Sequence, residues 1–268
     1  MDARQHRRRA TASSTATARP QAVHRGTTPS GTTAVRQQYD SCTTERDGRG
    51  FPGMAVIHRT TLKPTKLELL ASWLPSRPWY AGEGNEPRLT KAGGFRLDDP
   101  DGEVGIEFMV VGDASGAGPA DYLVPLTYRG APLDGAEHAL IGTAEHGVLG
   151  RRWVYDGCHD PVLLEQLTAL IEGRVQAQAQ SVTDAPDREV VRSFTGTGPV
   201  PTAFAAPTDT AEHTDLVAPD GTVLRLLRVL RPAAERPVPA PRGATGHVAG
   251  AWDLPDGTRA QGVFFVLR

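Results

Sequence analysis

Residues 155–167 read Tyr-Asp-Gly-Cys-His-Asp-Pro-Val-Leu-Leu-Glu-Gln-Leu and set Cys158, His159 and Asp160 side by side in a chain with two cysteines. These are the residue types of a thiol-protease-like set: a thiolate nucleophile, an imidazole base and a carboxylate that orients the base. Their adjacency argues against that chemistry. Successive side chains point in different directions, and real sets of this kind draw their members from distant parts of the chain. Asp160 ahead of Pro161 and a leucine-rich run is instead a helix N-cap with proline in the first turn. The triplet is therefore expected to be a strand-to-helix turn.

Other reactive patterns are weaker still. Ala-Glu-His occurs at 136–138, 144–146 and 211–213. Glu137, His138, Glu145 and His146 could meet across a hairpin around a metal, yet the helix-borne His-Glu-x-x-His spacing and any cysteine cluster are missing. Asp98, Asp99, Asp101, Asp113 and Asp121 fall mainly in turn sequences, where the side chain serves backbone hydrogen bonding rather than a glycosidase pair. The chain has no G-x-x-x-x-G-K-[ST] loop, no G-x-G-x-x-G after a strand and no G-x-S-x-G elbow, so no catalytic residue and no cofactor is expected. The stretch WLPSRPWYAGEG holds Trp73, Arg77, Trp79 and Tyr80. Trp and Tyr between prolines usually clamp a helix end onto a sheet, whereas exposed rings would suit a sugar face. Arg77, Trp79 and Tyr80 are the ligand-binding candidates.

The elements that must position these residues are legible from Met54 onward. MAVIHRTTL reads as a strand. KPTKLELLASWL reads as an amphipathic helix with Leu67, Leu70 and Leu74 on one face, ended by Pro75 and Pro78. In EVGIEFMVV, Val104, Ile106, Phe108 and Val110 alternate as in a half-buried strand. DYLVPLTYRG, HALIGTAEHG and LGRRWVYDG extend it into an antiparallel meander. DPVLLEQLTALIEG is a helix with Leu163, Leu164, Leu167, Leu170 and Ile171 on one face and Gly173 as its stop. After the polar 176–188 come EVVRSF, a hairpin at Pro219-Asp220-Gly221, and a final hairpin at Pro255-Asp256-Gly257. In that last hairpin Val263, Phe265 and Leu267 are expected to face one way.

Composition narrows the class. Residues 1–53 carry nine Arg against four acids, which leaves 20 basic and 27 acidic residues for the remainder. An acidic body disfavours nucleic acid as a partner. No apolar run approaches about 18 residues, so no helix spans a membrane. Sparse cysteine and the lack of a signal h-region point to the cytoplasm. Residues 1–53 have no hydrophobic period and read as a disordered extension or an over-long start. The expected division continues with 54–175 as the main domain, 176–231 as a β-rich segment, 232–245 as a Pro-rich linker and 246–268 as the C-terminal β-hairpin.

WLPSRPWYAGEG, YLVPLTYRG, ALIGT and WVYDGCHDPVLLEQL, in this order, resemble the N-terminal cap domain of bacterial maltokinases over roughly 54–173. The resemblance extends to stand-alone actinobacterial proteins often labelled 1,4-α-glucan branching proteins. It implies an α+β fold: a curled antiparallel β-meander packed on helices in a cystatin-like manner, followed by a smaller β-rich hairpin region. Residues 212–230 resemble a remnant of the kinase N-lobe, with Arg225 where those kinases carry the lysine that holds ATP phosphates. Arg differs from Lys in size and donor geometry, and no H-x-D-x-x-x-x-N-like loop follows. Nor does the chain show the strand–helix alternation of a branching-enzyme barrel. What the resemblance implies is a non-catalytic accessory protein of glycogen or trehalose metabolism. Its partner would be an α-glucan-metabolising enzyme or a maltooligosaccharide. The alternative is a glucan-branching or sugar-kinase-related enzyme with an unrecognised site.

Overall fold

The computed structural model describes residues 61–82, 86–180 and 185–268, together with an antiparallel backbone pairing of Ser41–Cys42 with Ile57–His58. Apart from that pairing, the reading of residues 1–53 lies outside the described residues. The described part is mostly antiparallel β-sheet with two α-helices. A short strand β1 (Leu62–Lys63) leads into α1 (Lys66–Trp73), then β2 (Leu89–Leu97), β3 (Gly105–Asp113), β4 (Ala120–Arg129), β5 (Leu140–His146), β6 (Gly150–Asp156) and α2 (Pro161–Glu172). β7 (Gln178–Ala179), β8 (Val191–Phe194), β9 (Thr208–Asp209), β10 (His213–Val217), β11 (Val223–Leu227), β12 (Val229–Leu230), β13 (Gly246–Asp253) and β14 (Arg259–Leu267) complete it.

Both helices start where side-chain chemistry tells them to. Thr65 caps α1 in a capping box: its Oγ1 accepts from the Glu68 amide at 3.3 Å, and the Glu68 carboxylate accepts from the Thr65 amide at 2.7 Å. Asp160 caps α2 by accepting from the Val162 amide at 3.0 Å, and Gly173 ends it at φ 81°. The leucine face of α2 is buried as its spacing predicts. The expected inner face of α1 is buried at Leu70, Leu74 and the neighbouring Trp73 and partly so at Leu67, and Lys66 and Leu69 are buried beside it. Lys66 turns inward to meet Glu107 at 2.5 Å.

β3 also departs from its alternating pattern, since every residue of it is buried. Ile106, Phe108 and Val110 join a core with the α2 leucines, Phe95, Trp252, Phe264 and Phe265. Met109 and Val111, on the opposite face, join a second core under α1 with Trp73, Trp79, Tyr122 and Val124. An alternating strand predicts one wet face; here a helix-bearing layer covers each side. The meander is likewise interrupted. β6 pairs with β4, and β5 lies outside it, because residues 130–139 carry the chain past the neighbouring position.

The sheet closes on itself. β2 pairs with β3, β3 with β4, and the N-terminal half of β4 with β12. One residue, Arg228, joins β12 to β11, which pairs with β14; β14 pairs with β13, and β13 returns to β2 at Trp252↔Gly93. Closure needs tight backbone at that seam. A Cβ at Gly93 would lie 3.1 Å from the Ala251 carbonyl oxygen and 3.2 Å from the Trp252 Cα. The Trp252 indole N–H also crosses to Asp121 of β4 at 2.9 Å, linking β13 to a strand other than its seam partner β2. A bulge at Val248/Ala249 turns both Phe264 and Phe265 into the core and leaves Val263 half-buried, so the single-facing set expected in this strand is broken. The segments divided in sequence at 175, 231 and 245 thus share one sheet within one compact unit.

Arg228 stands where the circuit would otherwise open. It is fully buried, with its Nη2 2.5 Å from Asp156 Oδ2 of β6 and its Nε donating to Thr214 Oγ1 of β10 at 2.7 Å. Removing one partner of a buried pair leaves an uncompensated charge and costs about 3–5 kcal/mol. Asp156→Asn is expected to lower the urea midpoint accordingly. The exposed Glu145–Arg151 pair (61% and 63% exposed) serves as the comparison: Glu145→Gln is expected to cost less than about 1 kcal/mol. Equal midpoints for the two variants would remove Arg228 from its structural role.

Candidate functional site

The reactive triplet is taken apart by its partners. Cys158 lies in a 3₁₀ turn, Gly157–His159, whose start Asp156 caps by accepting from the Cys158 amide at 3.2 Å. Its sulfur faces Arg228 Nη2 at 3.4 Å, and the residue is 3% exposed. Burial drives the thiol pKa far up, and the Arg228 charge does not reverse it. Asp160 is fully buried, capping α2 and taking a two-pronged hydrogen bond from Arg129 at 2.6 and 2.7 Å. His159 Nδ1 stands 3.1 Å from His138 Nε2, and both rings line a cavity of about 310 Å³ with Cys158 and Phe204. Cys158, His159 and Asp160 form no single line of nucleophile, base and orienter.

The residues considered for a metal disperse as well. His146 is buried, with Nδ1 accepting from the amides of Val148 and Leu149 at 3.3 and 3.0 Å. Glu145 pairs with Arg151, and Glu137 accepts from the Gly135 amide at 3.2 Å. Among the described residues, no group of three or more His, Cys, Asp or Glu side chains is placed to hold a metal ion.

The aromatic cluster is packed rather than presented. Trp79 is 1% exposed; its ring meets Trp73 edge-on at 5.8 Å and Tyr122 at 5.7 Å, and the Arg228 guanidinium lies 5.0 Å over it. Neither face is free for a sugar ring. Tyr80 is half-buried, with its hydroxyl 3.1 Å from Ser115 Oγ. Arg77 stacks on the Trp73 ring at 4.8 Å and donates to Ser76 Oγ. Arg228 is the residue that inspection of the motifs passed over. Its only sequence signal was an arginine among alternating leucines in VLRLLRVL.

Arg225, which the resemblance led us to expect in the place of a phosphate-holding lysine, is already engaged: its Nε and Nη2 both reach Asp215 at 2.7 Å. His213 Nε2 lies 3.5 Å from the same carboxylate. Partial burial works to raise the Asp215 pKa, but the Arg225 hydrogen bonds and charge outweigh it and hold the group below the ordinary carboxylate value. His213 and Arg225 border a groove of about 580 Å³ on the outer face of β10, β11 and β14, with Glu212, Arg231 and Glu235 also at its edge. Leu227, Val229 and Val263 form its apolar side, and residues 233–241 form its other wall.

The fold and its sites define an antiparallel β-protein whose reactive-looking residues are spent on caps, ion pairs and core. Residues 73–160, about a third of the chain, match the family model of the maltokinase N-terminal cap domain. The match runs from the end of α1 to the cap of α2 and takes in β2 to β6. No curated protein matches the chain.

Two measurements check this account of the site. In a Cys42→Ser background, Cys158 is expected to resist thiol reagents at pH 8 until the protein unfolds; rapid native labelling would contradict its burial. Burial also lowers the His159 pKa, with Asp156 opposing and the His138 charge reinforcing the shift. The unfolded chain therefore takes up that proton first as pH falls below about 6.5. Stability is expected to decline through that window and level off below the folded pKa. His159→Gln should shrink the drop between pH 7 and pH 5, and an unchanged drop would refute the assignment.

Proposed function

We propose that the chain is a non-catalytic accessory protein of α-glucan metabolism, acting in the cytoplasm by binding a maltose-type ligand or an enzyme partner. On this reading the cap is an α+β unit of the cystatin-like kind, in which the curled sheet wraps α2. The observation that carries the proposal is the maltokinase-cap match at 73–160. A second fact supports the non-catalytic part. Residues 212–230, which resemble a kinase N-lobe piece, are committed to closing the cap's own sheet. Arg225 is neutralised by Asp215 and Arg228 by Asp156. A phosphate-holding group has to keep its donors available.

Calorimetric titration of the full chain with maltose and maltooligosaccharides, beside capture of partners from native lysate, tests the proposal. Heat of binding or capture of an α-glucan-metabolising enzyme is expected. Silence in both would overturn it. A rise in melting temperature with ATP and Mg²⁺ would favour the enzyme alternative instead.

A further inference from the structure

Two histidines from separate turns meet on the wall of the cavity of about 310 Å³ that Leu164 and Phe204 also line. His138 lies in the 3₁₀ turn Glu137–Ala139, and His159 in the 3₁₀ turn Gly157–His159. Each turn is pinned from below. Ala136 and Ala139 pack on Tyr155, whose hydroxyl accepts from the Leu133 amide at 2.9 Å, and Cys158 and Asp160 are buried on either side of His159. The His138 ring is exposed and the His159 ring half-buried, with His138 Nε2 standing 3.1 Å from His159 Nδ1. The ring centres are 4.7 Å apart and the ring planes cross at 85°. A linear N–H···N hydrogen bond of this length would hold the centres about 5.4 Å apart. Two ring nitrogens 3.1 Å apart and bound to one metal ion at about 2.05 Å would hold them about 4.8 Å apart. The same bond length sets the separation of the nitrogens: about 2.9 Å for a right angle at the metal and about 3.3 Å for a tetrahedral one. The observed 3.1 Å falls between the two. The pair is spaced and bent as two neighbouring ligands of one ion are.

We propose that His138 and His159 form a two-imidazole site for a divalent transition-metal ion of the copper, nickel and zinc class. The coordinating atoms are His138 Nε2 and His159 Nδ1, so each ring carries its proton on the other nitrogen. Among the described residues, no third His, Cys, Asp or Glu is placed to join them. Cys158 lines the same cavity, but its sulfur faces Arg228 at 3.4 Å. The chain therefore supplies two ligands, and water or a small exogenous donor completes the coordination. The cavity of about 310 Å³ has room for this, since one water occupies about 30 Å³. Imidazole nitrogen suits copper, nickel and zinc, whereas magnesium and calcium take oxygen ligands. With only two protein ligands and open positions, affinity follows the intrinsic order, copper(II) above nickel(II) and zinc(II). Tyr155 and the Asp156 cap hold the two turns before an ion arrives, so little ordering opposes binding. A bound ion would tie the 130–139 connection to the turn that leads into α2.

The test is titration calorimetry of the tag-free full chain with copper(II), nickel(II), zinc(II) and magnesium chlorides at neutral pH. Two-bond ¹H–¹⁵N spectra of the histidine rings, recorded with and without zinc, accompany it. The variants are His138→Gln and His159→Gln, with His213→Gln as the control, each first confirmed folded by its melting temperature without metal. His213 lies beside Asp215, away from this cavity. Copper(II) is expected to bind most tightly, nickel(II) and zinc(II) less so, and magnesium not at all. Each of the first two variants should weaken zinc binding at least tenfold, and the control should leave it unchanged. In the unmodified chain, zinc should shift the His138 Nε2 and His159 Nδ1 resonances, a reading that stands even where a variant is destabilised. Zinc binding that survives both variants would place the ion elsewhere and overturn the site. Zinc-induced shifts confined to other histidines would do the same. If no transition metal binds, the pair is a bent hydrogen bond and the proposal fails, and a preference for magnesium would overturn the metal class.

Discussion

A guanidinium fully removed from water has to be neutralised by partners held in fixed positions, and Arg228 obtains these from three parts of the chain. Asp156 ends β6, Thr214 belongs to β10, and Trp79 follows α1. The main chain at the same residue is equally committed: its carbonyl accepts from the Leu123 amide at 2.9 Å, and its amide donates to the Glu212 carbonyl at 2.8 Å. Backbone and side chain together weld the segment after residue 205 to the segment that matches the cap domain. The interior charge is tolerated because the fold supplies every one of these partners at once. The same condition makes the arrangement all-or-none.

That weld accounts for the partners of the reactive-looking letters. Asp156 is taken by Arg228 and the 3₁₀ turn, Asp160 by Arg129 and α2, and Cys158 is enclosed beneath them. A second buried cluster works similarly under α1. Glu107 accepts from Lys66, from the Tyr128 hydroxyl at 2.7 Å and from Gln180 at 3.0 Å, so β3 can be covered on both faces although it carries a carboxylate. Burial alone would raise the Glu107 pKa, yet the neighbouring Lys66 and Lys91 charges hold it below the ordinary value. These two polar knots, at Arg228 and at Glu107, thereby tie together segments far apart in the sequence.

Local signals in the chain were legible, and long-range ones were not. Asp160-Pro161, the leucines of α2 and Gly173 announced a helix that forms where expected, and both Pro-Asp-Gly turns join strands as read. These features depend on contacts a few residues apart. The insertion of β6 between β4 and β5, the covering of both faces of β3 and the return of β13 to β2 depend on pairings up to about 160 residues apart, for which the sequence carries no period. Lys66 and Arg228 were opaque for the same reason. A charged residue in an apolar run reads as solvent-facing until its distant carboxylate is known. The aromatic motif illustrates the converse: Trp79 and Tyr80 stood out as residue types, but only the positions of Tyr122 and Arg228 decide which ring faces are covered.

In this account the C-terminal strands fold as one unit with the segment that matches the cap domain and are not a separate appendage. Native-state hydrogen exchange under increasing urea tests that most directly. The slowest amides of β13 and β14 are expected to share one opening free energy and one urea dependence with those of β3 and β4, as a single cooperative unit requires. If the amides of 246–267 instead exchanged through a separate opening of lower free energy while β3 and β4 stayed protected, the closed sheet would not be the unit that folds. The account would then fail at its centre.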